Sequence, residues 1–331
     1  MKRLGIAATL LLTLGTGVMK GQTADPQCNA LGTADACQKA IDFMKYLSPQ
    51  IGAAIAGGNT ILGSGGVLGG LPHWTVGVRA NIVAGAFPNF TTANAPNPSV
   101  STPAKSSYTT STTPLPFVAV DGAIGVFGGV PLGLTKVGGV DLLGTVAYVP
   151  TVSPSGINVA PATNTKFGGG LRVGLLQESL LVPGVSVSFI QRGLPKTTIT
   201  SVVGSGNPID TLQLKDLDLS TSSFRATISK SLILFGVAAG VGVDKYKQST
   251  GIYVAHHQLT PLPVNVSGTF KTDANVTRTN VFGDLYMNIL LLKIVGEVGV
   301  VSGGDVTTFN TYDKSPTASK PYGAIGLRVG F

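Results

Sequence analysis

Hydrophobic and polar residues alternate along most of the chain after residue 73. In the last ten residues, 322–331, the apolar Ile325, Leu327 and Val329 alternate with Gly326 and Arg328. A period of two predicts a β-strand with one apolar face and one face that is small or charged. In a transmembrane barrel the apolar face meets lipid and the other face meets the lumen, whereas a soluble strand buries its apolar face in a core.

The alternation predicts ten strands, placed at 74–87, 116–129, 140–150, 164–176, 184–200, 209–231, 235–248, 276–290, 293–303 and 320–331. With both termini on the periplasmic side, the outward connections are 88–115, 151–163, 201–208, 249–275 and 304–319. The inward connections are 130–139, 177–183, 232–234 and 291–292. The outward connections are longer on average, as in outer-membrane barrels. We therefore predict an all-β fold, a closed antiparallel transmembrane β-barrel of about ten strands (range 8–14), with a short N-terminal helix.

The N-terminal region predicts that helix and a glycine-rich stretch. Residues 33–47 carry an apolar stripe at helical spacing, with Thr33 as its cap and Ser48-Pro49 at its end. The stretch 50–70 is rich in Gly and Ala, which suits either a flexible linker or a compact plug close to the barrel wall. The stripe consists of Cys37, Ala40, Ile41, Met44 and Leu47.

Composition supports export and a barrel. Residues 1–22 resemble a signal peptide, because Lys2 and Arg3 precede an apolar run too short to span a bilayer. Charged residues make up only 11% of the 331 residues, and the net charge of +8 comes from scattered Lys and Arg, so we expect no nucleic-acid partner. The predicted organisation is a signal peptide at 1–22, a helical and plug-like segment at 23–72, and the barrel at 73–331.

Two cysteines nine positions apart, Cys28 and Cys37, predict a disulfide in an exported chain. A metal site there would need further ligands, and no His precedes His73. We expect no metal and no cofactor.

The inward-facing positions of the predicted strands include both acidic and basic residues. Two interpretations are open: opposite charges pair to fill a narrow barrel, which we favour, or they form a polar constriction that selects solutes. These candidate lumen-lining residues are Arg79, Asp121, Asp141, Arg172, Arg225, Asp244, Asp284, Glu297 and Arg328.

Catalytic chemistry is not expected. A barrel hydrolase needs a His and a Ser within hydrogen-bond reach, with a third group that orients them. The pattern places His256 and His257 in the predicted loop 249–275 and no inward-facing His in any predicted strand. The sequence therefore predicts no catalytic residue and no enzyme.

Several stretches resemble bacterial outer-membrane barrels, distantly those of FadL-type transporters of hydrophobic compounds. They are the lead-in 51–70, the hairpin at 181–189, Ser229–Ser231 and Arg328–Phe331. In such barrels the terminal aromatic is recognised by the assembly machinery, a role that the resemblance assigns to the last strand with Tyr322 and Phe331. The chain lacks the Asn-Pro-Ala hatch motif of FadL-type proteins and has ten predicted strands where they have fourteen, so no substrate-binding residue is carried over.

The predicted function is a channel or transporter for small hydrophobic molecules in the bacterial outer membrane. Its basis is the arc of inward glycines together with the candidate plug. The alternative is a structural or surface-interaction barrel with a filled lumen, and a third possibility is a secreted β-sandwich. The expected partners are the lipid bilayer, lipopolysaccharide, the barrel-assembly machinery and small hydrophobic solutes.

Overall fold

The computed structural model describes residues 23–28, 33–89, 102–153, 157–203, 209–258 and 264–331; the predicted signal peptide lies outside them. A short 3-10 helix (Pro26–Cys28) precedes the α-helix α1 (Ala34–Ala56). The strands are β1 (Trp74–Pro88), β2 (Ser107–Tyr108), β3 (Thr110–Phe127), β4 (Val130–Leu132), β5 (Thr135–Val137), β6 (Gly139–Tyr148), β7 (Ile157–Pro161), β8 (Thr165–Leu176), β9 (Gly184–Gly193), β10 (Thr197–Val203), β11 (Ile209–Leu232), β12 (Phe235–Gln258), β13 (Val264–Ile289), β14 (Leu292–Ser302), β15 (Thr311–Tyr312) and β16 (Lys320–Gly330).

Ten of these strands close into a ring of antiparallel neighbours. The order is β1, β3, β6, β8, β9, β11, β12, β13, β14 and β16, and the pairing of β16 with β1 completes it. The sheet also contains β10 and β7: β10 pairs with β11 beyond the end of β9, and β7 pairs with β10. The predicted closed antiparallel β-barrel is confirmed.

All five predicted outward connections contain strand residues. Residues 107–108 and 110–115 belong to β2 and β3, 157–161 to β7 and 311–312 to β15. Most of 249–275 belongs to β12 and β13, and 201–203 belongs to β10. Strands β11, β12 and β13 have 24, 24 and 26 residues, so each is about 80 Å long. An apolar belt of about 25 Å is enough to cross an outer membrane. These three strands therefore continue well beyond it.

The sequence pattern missed these extensions because the polarity of the two faces reverses along each strand. On β13 the outward residues Val281 and Leu285 are apolar and exposed, whereas the outward Lys271 and Asp273 farther up the strand are charged. The inward face changes in the opposite sense, and Phe270 there is buried. A strand that leaves the lipid meets water on its outer face, so an apolar face is no longer favoured there.

Helix α1 lies inside this ring and is longer than predicted. It does not stop at Ser48-Pro49 but continues to Ala56, and Thr33 makes no side-chain capping bond. Proline removes one helical hydrogen bond. The next residue holds the helix in place, because Gln50 Nε2 donates to Tyr46 O (3.1 Å) and to Ala86 O on β1 (3.0 Å). Among the described residues, no helix is both long and apolar enough to cross a membrane.

The first half of α1 packs in the extended, outer part of the barrel. The predicted apolar stripe is buried there, and the predicted disulfide between Cys28 and Cys37 is confirmed. Leu217, Ile252 and Phe270 contact this half of the helix. The outer end of the barrel is thus closed by an ordinary apolar core, of the kind found in soluble proteins.

The closed ring predicts heat-modifiable migration. Because each strand of the ring pairs with two neighbours over part of its length, the ring has no edge strand at which unfolding in detergent could begin. We expect the unboiled protein from the outer-membrane fraction to migrate differently from the boiled protein on a gel. Identical migration, with the protein in the soluble fraction, would contradict the barrel.

Candidate functional site: the interior of the barrel

The interior is occupied by the chain itself. After α1, residues 57–70, here called the lumenal segment, run along the wall towards the turns at the opposite end of the barrel. Gly57 lies beside Asn81 on β1, and Gly70 lies against Gly128, close to the turn that follows β3. The segment therefore connects the buried helix to the start of β1 through the inside of the ring.

Three arginines of the wall bind the C-terminal end of α1. Arg192 Nη1 donates to Ala56 O (2.8 Å) and Gly58 O (3.1 Å), and Arg225 Nη2 donates to Ala56 O (2.5 Å). Arg79 Nη1 donates to Gly57 O. The last carbonyls of a helix lack partners within the helix and carry partial negative charge. The guanidinium groups supply those partners.

Acidic residues of the wall accept the backbone N–H groups of the lumenal segment. Glu297 Oε2 accepts from Asn59 N (2.9 Å), Asp284 Oδ2 from Gly63 N (2.8 Å) and Asp141 Oδ1 from Leu68 N (3.1 Å). A buried backbone donor without a partner costs free energy comparable to a lost hydrogen bond. The wall thus offers arginine donors to the backbone carbonyls of the interior chain and carboxylate acceptors to its backbone N–H groups.

Opposite charges of the wall also contact each other. Arg79 Nε lies 2.6 Å from Asp121 Oδ2, and Arg172 Nη2 lies 2.6 Å from Asp141 Oδ2. Arg225 Nη2 is farther from Asp244 Oδ1, at 3.7 Å. These contacts support the interpretation in which opposite charges pair to fill the barrel, rather than the one in which they form a polar constriction that selects solutes.

Two acidic residues face each other across neighbouring strands. Asp284 on β13 is in register with Glu297 on β14, and the hydroxyl of Tyr322 donates to Glu297 Oε1 (3.0 Å). Tyr322 is therefore buried inside the barrel, while Phe331 is 65% exposed at its end. The assembly role of Tyr322 and Phe331 stays a prediction.

Close packing between the lumenal segment and the wall depends on small residues. A Cβ on Gly63, whose φ is +66°, would come within 2.8 Å of the Tyr286 ring. The same holds for the end of α1, where a Cβ on Gly52 would come within 2.5 Å of the Tyr246 ring. The inward Gly240 does not leave open space either, because the Phe282 ring lies over it. On β12 the inward Gly236 and Gly240 are thus covered by the Tyr286 and Phe282 rings of the neighbouring β13, whereas the inward Gly174 on β8 faces Val67 of the lumenal segment.

Little free volume remains beside the first part of the segment. A cavity of about 20 Å³ near Thr60, Arg79 and Asp121 has room for about one water molecule.

The outer half of α1 is held by a polar contact to the connection before β16. Asp42 accepts hydrogen bonds from Phe309 N (3.2 Å), Asn310 N (2.8 Å) and Asn310 Nδ2 (2.7 Å). Burial raises the pKa of the Asp42 carboxyl, although these donors act in the opposite direction. The contact joins the helix to an outward connection.

Two important basic residues were missed as lumen-lining candidates. Arg192 and Lys293 both donate to backbone carbonyls of the interior chain. Both residues lie on the inward face of their strand. On β9, Arg192 follows the outward Gln191, and on β14, Lys293 lies two positions before the inward Val295. The signal was present for both residues. Lys293 begins the predicted strand 293–303, where the phase is hardest to assign, whereas Arg192 lies in the middle of the predicted strand 184–200, which the structure divides into β9 and β10.

The chain matches no protein-family model and no curated protein sequence. Among solved structures, it is similar to the transport unit of the autotransporter AIDA-I from Escherichia coli, with a TM-score of 0.33 and 8% identity over 88% of this chain and 99% of that one. It is also similar to a loop-deletion mutant of OmpT, an outer membrane protein of Vibrio cholerae (TM-score 0.20, 11% identity, 78% of this chain and 98% of that one). A third is OccAB2 of Acinetobacter baumannii (TM-score 0.20, 7% identity, 80% and 99%). At these TM-scores the likenesses carry no functional argument, and the FadL resemblance is not shown.

The sequence-based exclusion of enzymes has to be corrected. OmpT of Vibrio cholerae is among the similar structures, at TM-scores that carry no argument about activity, and a barrel fold by itself does not exclude an enzyme. The exclusion also assumed that no His lies on an inward strand face, whereas His256 lies on β12 and is buried. The conclusion that the chain is not an enzyme is withdrawn.

The location follows from the architecture. A closed ring whose outward residues form an exposed apolar belt, with charges buried inside, can satisfy its backbone within a bilayer. The protein is a β-barrel of the bacterial outer membrane, in contact with membrane lipid.

Replacing Arg192 tests the arginine contacts. We expect Arg192→Met to lower the free energy of unfolding by about 3 kcal/mol, because Ala56 O and Gly58 O lose a charged donor inside the barrel. The measurement is urea unfolding in detergent, followed by the fluorescence of Trp74, the single tryptophan. The exposed Lys196 supplies the control, since Lys196→Met should have little effect. Equal stability of both variants would contradict the capping role.

Proposed function

We propose that the protein is an outer-membrane channel that its own N-terminal region, residues 33–70, holds closed. The observation that carries the proposal is the way the wall binds the lumenal segment. The wall donates from arginines and accepts with carboxylates, and the contacts go to backbone atoms of the segment. Apolar contacts dominate around the outer half of α1, and in the lumenal segment Ile61 and Leu62 also pack against apolar side chains of the wall.

A wall of this kind is compatible with an open state. If the lumenal segment leaves, water can replace its backbone groups, and the net cost of exchanging such hydrogen bonds is small. An apolar wall would instead be exposed to water at a cost proportional to its area. The wall therefore suits a removable plug.

The solute we propose is small and polar. Arg79, Asp121, Glu297 and Asp284 would line the path once the segment has moved, and charged rings favour hydrated solutes. The hydrophobic solute expected from the sequence depended on the glycine-lined arc, and the Phe282 and Tyr286 rings take up that space. We retain transport and revise the solute class.

A structural or surface-interaction barrel is the second candidate. The filled interior favours it, as do the extensions of β11, β12 and β13 with their polar outer faces. In this alternative the lumenal segment is a permanent core, and the extended strands carry the function outside the membrane.

Deletion of the N-terminal region separates these candidates. We expect a chain lacking residues 33–70, with Cys28→Ser to avoid a free thiol, to conduct ions in planar bilayers at a level well above that of the wild type. The reason is that the charged wall becomes hydrated once the segment is absent. The deleted chain must first show heat-modifiable migration, and a folded chain without conductance would refute the plug.

A tether provides the matched test in a full-length chain. A Cβ on Gly174 would lie 3.5 Å from Val67 Cβ, within the range for a disulfide. We expect oxidised Val67→Cys/Gly174→Cys to suppress the openings that wild-type protein shows, and reduction to restore them. Each single cysteine variant serves as a control. If the oxidised double variant opens as often as the wild type, passage of solutes does not depend on movement of the lumenal segment.

A further inference from the structure

A second cavity, of about 210 Å³, lies at the end of the barrel where β1 begins and β16 ends. Trp74, Leu291 and Phe331 are at its rim, and Leu68 of the lumenal segment borders it. It is larger than the cavity near Arg79 and is too small for a drug-sized ligand. Its size suits a small molecule or ion.

Three polar side chains on neighbouring strands line this cavity. Asn288, Lys293 and Arg328 line it, and the register places Asn288 opposite Lys293 and Lys293 opposite Arg328. Like charges directly opposite each other on neighbouring strands destabilise a sheet. The wall therefore keeps two cations side by side at a cost.

Among the described residues, neither cation has a side-chain carboxylate at ion-pair distance. The ion pairs found among the described residues do not include Lys293 or Arg328. Lys293 Nζ donates to Gly63 O (3.2 Å) and lies 4.2 Å from the centre of the Tyr286 ring, and Arg328 Nη1 donates to Leu62 O (2.8 Å).

The nearby acids have other partners. Asp141 binds Arg172, Asp284 accepts from Gly63 N, and Glu178 accepts from Ser229 and from the backbone N–H of Ser231. Positive charge at Lys293 and Arg328 is therefore left without direct neutralisation beside an open cavity.

We propose that this cavity binds a small oxyanion, of the phosphate or carboxylate class, between Lys293 and Arg328, with Asn288 as a further donor. Oxyanions accept several charge-assisted hydrogen bonds at once, and Arg can offer two parallel donors to one anion. An anion at this position relieves the repulsion between the two cations.

The site is coupled to the lumenal segment through the same two side chains. Lys293 and Arg328 hold Gly63 O and Leu62 O, so an anion that draws these cations into the cavity competes with the segment for its donors. This part of the inference rests on the proposed plugged channel: binding of the anion weakens the inner end of the plug and raises the frequency of opening.

Binding is measured directly, with inorganic phosphate and, separately, acetate, by calorimetry on the full-length protein in detergent at constant ionic strength. We expect saturable binding of one anion per chain, weakened about tenfold or more in Lys293→Gln and in Arg328→Gln, since each loses a charged donor. Lys230→Gln is the matched control, because Lys230 also donates to backbone carbonyls near an inward turn, at Ser179 and Leu180. All variants are checked for heat-modifiable migration.

The outcomes separate the site from the channel. Absence of saturable binding to the wild type, or equal affinity in the two cavity variants and in Lys230→Gln, overturns the site whatever the conductance of the deleted chain. Phosphate that binds the wild type but does not raise its frequency of opening in planar bilayers overturns the coupling. An increase in opening in the wild type and in Lys230→Gln, lost in both cavity variants, supports the whole inference.

Discussion

The interior of this barrel depends on one constraint: a polypeptide backbone enclosed away from water must find a partner for each of its polar groups. The lumenal segment is neither helix nor strand, so it cannot supply those partners itself. Arginines of the wall donate to its carbonyls, and carboxylates accept from its N–H groups. The number and mixture of buried charges in a narrow barrel follow from this requirement.

The same strands serve two solvents. Where lipid surrounds the barrel, β13 presents Val281 and Leu285 outward and Arg278 and Asp284 inward; farther out it presents Lys271 outward and Phe270 inward. The change in outer solvent reverses which face is apolar. As a result, α1 has an apolar environment at its disulfide-closed beginning and a charged environment at its end.

This division has a mechanical consequence. The outer half of α1 is fixed by apolar burial, by the disulfide and by Asp42. The lumenal segment is fixed by polar contacts that water can replace, together with the burial of a few apolar side chains such as Ile61 and Leu62. Movement of the plug therefore begins more easily at the inner end, near Leu62 and Gly63, than at the helix. Both residues are held by the cations of the second cavity.

The sequence by itself determined the elements whose cause is local. Alternation placed the ten strands of the ring, because the lipid face repeats every second residue, and spacing with export predicted the Cys28–Cys37 disulfide. The end of α1 and the extensions of β12 and β13 were decided by the tertiary structure. Pro49 is tolerated because Gln50 is anchored to β1, and the extensions alternate in the opposite sense because their inner face covers a helix. Which charge binds which backbone atom was likewise beyond the sequence, since Arg192 and Ala56 meet only when the chain passes through its own barrel.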